Sequence, residues 1–399
     1  MITLMKDTKN TLEQMFFELL QVAIGRIVCL SHSPSAEEWK GLYEIAKKQS
    51  LVGVCFAGVQ KLVEQQQTPE EMLYLTWMGM AAKIQQRNEV VNQQCVEVQR
   101  LIAEKGCRSC IIKGQSNHTS YGSLAMLRQS GDIDIWVEGG REKVVELVSS
   151  ICPTKEIRET HAQLRVFQDT EVEVHYRPGL IRDFRRNKRL QAFFASHAED
   201  CFANRVSLGS KEFQKVSSES PKTPETSGTS KDLKPSETLS IVAPKVQFHA
   251  VQQLLHIYHH LFDSGIGLRQ VMDYYFVLKH LSEEEKGGVM KVLKQVGVER
   301  FAKALMFVEQ KVFGLEDRYL LCEPSVEDGE YLLSEIMIGG NFGHYDDRKK
   351  YSTRHSFLES FLGVYFKNFR HARFAPMEWF WSPIWRLYYF GWRKWNGYE

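Results

Sequence analysis

Gly131-Asp132-Ile133-Asp134-Ile135-Trp136-Val137 is the stretch on which the reading of this chain turns. Two carboxylates one residue apart interrupt an apolar run that follows an irregular segment. Side chains alternate between the faces of a strand, so Asp132 and Asp134 share one face while Ile133 and Ile135 pack on the other. Paired carboxylates repel each other and resist burial unless a cation lies between them. Hard cations such as Mg²⁺ accept such oxygen ligands and keep positions open for phosphate oxygens. The pair predicts a metal-dependent phosphoryl- or nucleotidyl-transfer centre. A solvated strand edge with two surface aspartates accounts for the same pair, and the surrounding segments decide between them.

A chain of 399 residues is long for one core and predicts two or three domains. Hydrophobic content of 43% and charged content of 25% are ordinary for a globular protein. A formal charge of +2 argues against the dominant basic field that non-specific nucleic-acid binding needs. Of the eight cysteines, Cys107 and Cys110 form the close pair; with no second Cys/His pair at zinc spacing they read as buried thiols, which suggests a reducing compartment. Met1–Asn10 has acidic and polar breaks where a signal peptide needs an apolar core. No run reaches the roughly 18 apolar residues of a membrane span. The expected location is cytoplasmic.

Working outward, residues 11–105 read as helical scaffold, ending in a long helix from about Glu70 to Lys105 with Leu73, Trp77, Ala81 and Ile84 on its apolar face. The pattern changes at Gly106. Cys110-Ile111-Ile112 runs into Lys113-Gly114-Gln115-Ser116, and Arg128-Gln129-Ser130-Gly131 feeds the Asp132 strand. Residues 141–151 form an amphipathic helix, and 164–167 and 171–176 read as two strands about a turn at 168–170. On the second of these Glu171, Glu173 and His175 share a face. These elements describe a small mixed α/β sheet over 106–205. Residues 206–243 are Ser/Thr/Pro-rich and read as a disordered insertion.

Helices resume from 244 to 355. His256 and His260 have the spacing of a helical zinc pair, yet lack the Glu of the metalloprotease pattern and a third ligand, so they read as packed histidines. Arg269 and Asp273 are spaced for an i,i+4 pair. The segment 356–399 concentrates Trp379, Trp381, Trp385, Trp392 and Trp395 among basic residues. Pro376 and Pro383 are expected to break it into short pieces. It reads as packing on the body, with peripheral contact to a membrane surface or a protein through 357–399 as the other readings.

Ile111-Ile112-Lys113-Gly114, then Leu127-Arg128-Gln129-Ser130-Gly131-Asp132-Ile133-Asp134-Ile135, then Val172-Glu173-Val174-His175-Tyr176 resemble the core of the uncharacterised bacterial nucleotidyltransferase family, of the polymerase-β-like superfamily. Gly-Leu-Arg-Gln-Val-Met-Asp, ending at Asp273, is similar to that family's helical C-terminal portion. The resemblance covers about residues 35–380 and implies an α+β, predominantly helical fold. In it a small mixed-sheet nucleotidyltransferase core is flanked by N- and C-terminal helical regions. In the wider superfamily a Gly-Ser pair lies close upstream of the Asp-x-Asp. Here Gly114-Gln115-Ser116 stands farther from Asp132.

The resemblance implies that Asp132, Asp134 and Glu173 hold Mg²⁺ or Mn²⁺ and carry catalysis, with Glu173 as the general base. It also implies nucleotide contacts from Lys113, Gly114, Ser116, Arg128 and Arg269. His175 would orient a carboxylate from behind. The implied reaction moves a nucleoside monophosphate from an NTP such as ATP to an acceptor hydroxyl on a small molecule, sugar or protein, with RNA disfavoured by the near-neutral charge. Two other functions stand beside it: a catalytically silent nucleotide-binding protein, and a membrane-surface or assembly factor acting through the aromatic C-terminus.

Overall fold

The computed structural model describes residues 2–208, 239–346, 365, 368–374 and 376–398, with side chains from residue 11 onward. The fold is α+β and predominantly helical, as the sequence predicts. Four strands, β1 (Ser109–Ile111), β2 (Ile133–Val137), β3 (His161–Leu164) and β4 (Val172–His175), form a sheet in the order β1-β2-β4-β3. β2 and β4 run parallel; the two outer pairings are antiparallel, so the sheet is mixed.

Alternation along these strands sends their two faces into different cores. Ile133, Ile135 and Val137 of β2, with Val172 and Val174 of β4 and Ala162 of β3, enter one core. It is closed by Val91, Cys95, Val98 and Ile102 of α4 (Glu71–Glu104) and by Val144, Leu147 and Val148 of α6 (Gly140–Ile151), where α5 is the short turn His118–Tyr121. On the other face, Cys110 and Trp136 join the larger core, where Trp136 stacks on Phe248 with ring centroids 5.3 Å apart. The rest of that face is polar and carries the site.

The larger core is helical. It is built from α1 (Ile2–Ala23), α2 (Ala36–Lys48), α3 (Val52–Lys61) and the first half of α4, together with helices from the far end of the chain. Those are α9 (Val246–Asp263), α10 (Leu268–Leu278), α11 (Glu283–Val296), α12 (Glu299–Phe313) and α13 (Val326–Gly339), with α7 (Phe184–Ser196) and α8 (Ala198–Ala203) between. Described helices from both ends of the chain, α1 to the first half of α4 and α9 to α13, thus share one core. α4, 34 residues long, belongs to both cores, with Trp77 and Ala81 in the helical one and its C-terminal half against the sheet. Asn88 and Asn92, midway along α4, are buried where the two meet.

Three local expectations are corrected. The strand predicted at 164–167 lies at His161–Leu164, because that register pairs Leu164 with Val172 and places Ala162 in the core. Order extends into the segment predicted to be a disordered insertion: β5 (Arg205–Ser207) pairs with β6 (Ser240–Val242), while 209–238 lie outside the described residues. The prolines do not fragment the C-terminus. α14 (Pro376–Asn396) is one 21-residue helix with Pro383 inside it. Pro376 sits at the first turn, where no N–H is needed. At Pro383 docking outweighs the lost hydrogen bond, since Glu378 and Trp385 are both anchored on the body. Among the described residues no helix is long and apolar enough to cross a membrane.

Candidate active site

The loop that delivers Asp132 is gripped from α4. Asn88 Nδ2 donates to the carbonyl oxygens of Met126 and Arg128, each at 2.8 Å. Ser130 Oγ donates to Asn88 Oδ1 at 2.7 Å, and Gln115 Nε2 donates to Asn88 Oδ1 and Asn92 Oδ1 at 3.1 and 3.0 Å. Buried amides joined in this way hold a loop in one geometry, because any other leaves polar atoms unpaired. Gly53 of α3 adds a steric limit, since a Cβ there would lie 2.3 Å from the Leu127 carbonyl oxygen.

Register does the rest. In the parallel pairing Asp134 lies opposite Glu173 and Trp136 opposite His175; in the antiparallel one His161 lies opposite His175. Asp134, Glu173, His175 and His161 therefore share a face, with Asp132 just before the strand. Ligand-capable oxygens of Asp132, Asp134 and Glu173 all lie within 4.8 Å of one another. Atoms of His161, Glu173 and His175 meet the same limit. Lys113 Nζ is 2.5 Å from Asp134 Oδ1, and His175 Nε2 is 2.8 Å from that oxygen and 3.3 Å from Glu173 Oε2. His161 Nδ1 lies 3.4 Å from Glu173 Oε2.

These contacts distribute charge unevenly. Burial works against ionisation of Asp134, but Lys113 and His175 overcome it and hold the carboxyl well below the usual range. Burial likewise opposes charge on Glu173; the His175 hydrogen bond, with His161 and Lys113, brings its carboxyl below the ordinary value. Asp132 opens onto solvent in the cavity yet sits among crowding protein. That crowding first, and then the Asp134 charge, raises its carboxyl to about 6. Burial disfavours charge on His175 and is outweighed by Asp134 and Glu173, so it is raised. His161 is pushed down to about 4 by burial and by His175. The two imidazoles, with ring centroids 5.0 Å apart, are thus shifted in opposite directions.

The polar face opens into a cavity of about 280 Å³. Of the residues singled out from sequence, Lys113, Gly114, Arg128, Asp132, Asp134, Glu173, His175 and Arg269 all line it. At Gly114, φ is +60°, a conformation that glycine adopts without strain, and it turns the chain between Lys113 and the buried 3₁₀ turn Gly114–Asn117. That turn carries Ser116 away from the cavity into the interior, where its hydroxyl lies 3.2 Å from His249 Nε2. Arg128 donates through Nε and Nη2 to Asp273, at 2.6 and 2.7 Å, which corrects the i,i+4 pairing expected between Asp273 and Arg269. Arg269 instead donates through Nη1 to the Gln129 carbonyl at 2.7 Å. Its buried Nε has no hydrogen-bond partner among the described residues.

Sequence reasoning missed a second wall. His256, His259, His260 and Asp263 of α9, with Phe342, also line the cavity. The spacing of His256 and His260 was visible, and their rings lie 4.3 Å apart; what spacing could not show is that the helix lies across the cavity from Asp134. His259 Nε2 pairs with Asp263 at 2.8 Å. His161 was missed because its strand was placed three residues late.

The donor chemistry fits a hard divalent cation: three carboxylates converge, and crowding and the Asp134 charge work against ionisation of the one facing solvent. Fold and site together define an α+β protein whose carboxylates, set on neighbouring parallel strands, line a cavity with lysine and arginine. A family model described as an uncharacterised nucleotidyltransferase matches residues 35–314, and the chain belongs to that family. No match was found among curated proteins or among solved structures.

Proposed function

We propose that this protein transfers a nucleoside monophosphate from an NTP to an acceptor hydroxyl, with a divalent metal held by Asp132, Asp134 and Glu173. The observation that carries this reading is the meeting of those three carboxylates within 4.8 Å in a cavity of a nucleotidyltransferase-family chain that Lys113 and Arg269 also line. A bound Mg²⁺ or Mn²⁺ would supply Lewis-acid stabilisation of phosphate charge. Lys113, enclosed and charged, supplies a fixed cation beside the carboxylates, and the unpartnered Nε of Arg269 is a donor for a phosphate oxygen. Gly114 lets a phosphate approach the backbone. Arg128 acts at one remove, because its guanidinium is committed to Asp273 and so ties the loop before Asp132 to α10. Glu173 is the group we assign to take the acceptor proton, and His175 keeps its carboxylate and that of Asp134 in place.

The test uses purified protein, each α-labelled NTP in turn, Mg²⁺ or Mn²⁺, and cell extract as the source of acceptors. Label passes to an acceptor with the wild type and fails to do so with Asp132→Ala/Asp134→Ala. Equal labelling by both proteins, or none by either, sinks the proposal. A second reading, nucleotide binding without turnover, draws on the way Lys113 and His175 already compensate Asp134 without added metal. In that case the wild type binds an NTP in the presence of a chelator and labels nothing.

A further inference from the structure

We propose that the outer face of α14, together with Phe184 on α7, lies on an anionic lipid surface. Met377, Phe380, Ile384 and Leu387 recur three or four residues apart along α14 and are exposed, as are Tyr388 beside them and Trp395 two turns on, Leu387 by 55% and Trp395 by 91%. A soluble helix normally turns such a stripe inward, so a stripe left outside marks an interaction surface.

The inner face of α14 is already fixed. Glu378 accepts from the Arg182 backbone N–H at 3.0 Å, Trp385 Nε1 donates to Glu159 at 2.6 Å, and Arg386 lies 3.7 Å from Asp263. The helix is therefore held in a defined orientation, and the apolar stripe is what that orientation presents.

Charge selects the occupant. Glu378 is the one acidic residue of α14, and it is buried. The exposed side carries Lys394 instead. The patch continues onto α7 through Phe184, whose ring meets Trp381 at 5.6 Å and Tyr388 at 5.8 Å. α7 itself contains Arg185, Arg186, Lys188 and Arg189 and no acid. Exposed aromatic and aliphatic side chains rimmed by cations, with no exposed carboxylate on either helix, match the headgroup region of an anionic membrane. Tryptophan and tyrosine suit that zone because one part of each ring system is apolar and another hydrogen-bonds. Arg386, Glu378 and Pro383 within the helix, and the absence of any spanning helix among the described residues, fit a helix that lies on the surface rather than crossing it. The proposal is independent of the transfer chemistry.

Full-length protein is floated with vesicles of phosphatidylcholine alone and of equimolar phosphatidylcholine and phosphatidylglycerol. The wild type is expected to float with the anionic vesicles, to remain below with the neutral ones, and to be released by salt. Leu387→Ser/Trp395→Ser alters two exposed side chains, so the fold persists, as circular dichroism will show; vesicle affinity falls by about tenfold or more because two apolar groups no longer enter the interface. Lys188→Glu/Lys394→Glu lowers affinity for anionic vesicles specifically. The proposal is overturned if the wild type stays below with both vesicles, or if Leu387→Ser/Trp395→Ser binds as well as the wild type. It is also overturned if light scattering finds a dimer that this variant dissociates while neither protein binds vesicles, since a second copy then covers the face.

Discussion

The pair Arg128–Asp273 offers the sharpest test of how the site is held. Its side chains are only 6% and 8% exposed, and two contacts of 2.6 and 2.7 Å join them. Tyr121 Oη donates to the same Asp273 Oδ1 at 2.6 Å. Arg128→Gln removes the cation and leaves a buried carboxylate with the tyrosine hydroxyl as its chief partner. Stranding a buried charge in this way costs about 3–5 kcal/mol. Arg128→Gln/Asp273→Asn removes the stranded charge as well and still offers Tyr121 an acceptor, so most of that cost is recovered. The expected coupling is about 2 kcal/mol or more. Urea unfolding followed by far-ultraviolet circular dichroism on the wild type, both single variants and the double closes the cycle. A cost below about 1 kcal/mol for Arg128→Gln, the magnitude of a solvent-screened surface pair, refutes the reasoning. So does a double variant in which the two single costs simply add.

Other outcomes follow from single contacts. Gly53→Ala places a methyl 2.3 Å from the Leu127 carbonyl oxygen, and backbone cannot swing aside. The urea midpoint should drop by the equivalent of about 1–3 kcal/mol, whereas Gly→Ala in an open helix stabilises. Glu309 is fully buried with neither carboxylate oxygen bonded among the described residues, and burial raises its carboxyl well above the ordinary range. The folded chain then keeps a proton that the unfolded chain releases, so this residue's contribution is full below the ordinary carboxyl range and is lost as pH rises toward the raised value. Glu309→Met should raise the thermal midpoint at about pH 8, by the equivalent of about 1–3 kcal/mol, and change it little at about pH 4; equal shifts at both would contradict this. His175→Gln should weaken Mn²⁺ binding, measured by calorimetry, by about 10–100-fold, since the imidazole steadies Asp134 and Glu173. Unchanged affinity would remove His175 from the site.

What could be read from sequence was what depends on local alternation. Asp132, Asp134, Glu173 and His175 declare their shared face through a period of two, and α4 declares itself through its apolar spacing. Strand β3 was misplaced because Leu164-Arg165-Val166-Phe167 looks more strand-like than His161-Ala162-Gln163-Leu164. The ladder with β4 chose the latter. α14 defied a sound rule about proline, since anchors on either side of Pro383 lie in distant parts of the chain. Arg128 and Asp273 are 145 residues apart, so no local pattern announces their pair. Ser116 illustrates the converse: its place beside Gly114 was legible, but the direction of its hydroxyl depends on a 3₁₀ turn packed against α9.

Charge around the carboxylates shows what kind of ligand the cavity suits. Asp134 has Lys113 and His175 against it, and Glu173 has both imidazoles nearby. Asp132 has no ion pair among the described residues, and crowding by protein and then the Asp134 charge raise its carboxyl in spite of the more distant Lys113 and Arg269. Arg269 shows the opposite deficit, a buried guanidinium with an unused donor in the same cavity, and burial together with neighbouring Arg128 holds its pKa below the ordinary value. A metal ion alone would relieve Asp132 and leave Arg269 unanswered, and a phosphate alone would do the reverse. One ligand that brings a cation to the first and an anion to the second satisfies both at once, and a metal-chelated polyphosphate is such a ligand. On this argument metal and nucleotide should bind cooperatively, each raising the other's affinity by the same factor, as linkage requires. Titrating Mn²⁺ with and without a non-hydrolysable NTP, in the wild type and in Arg269→Gln, measures that factor. The part of it that exceeds chelation in solution should vanish in the variant, and a factor that Arg269→Gln leaves unchanged would show that the two deficits are unrelated.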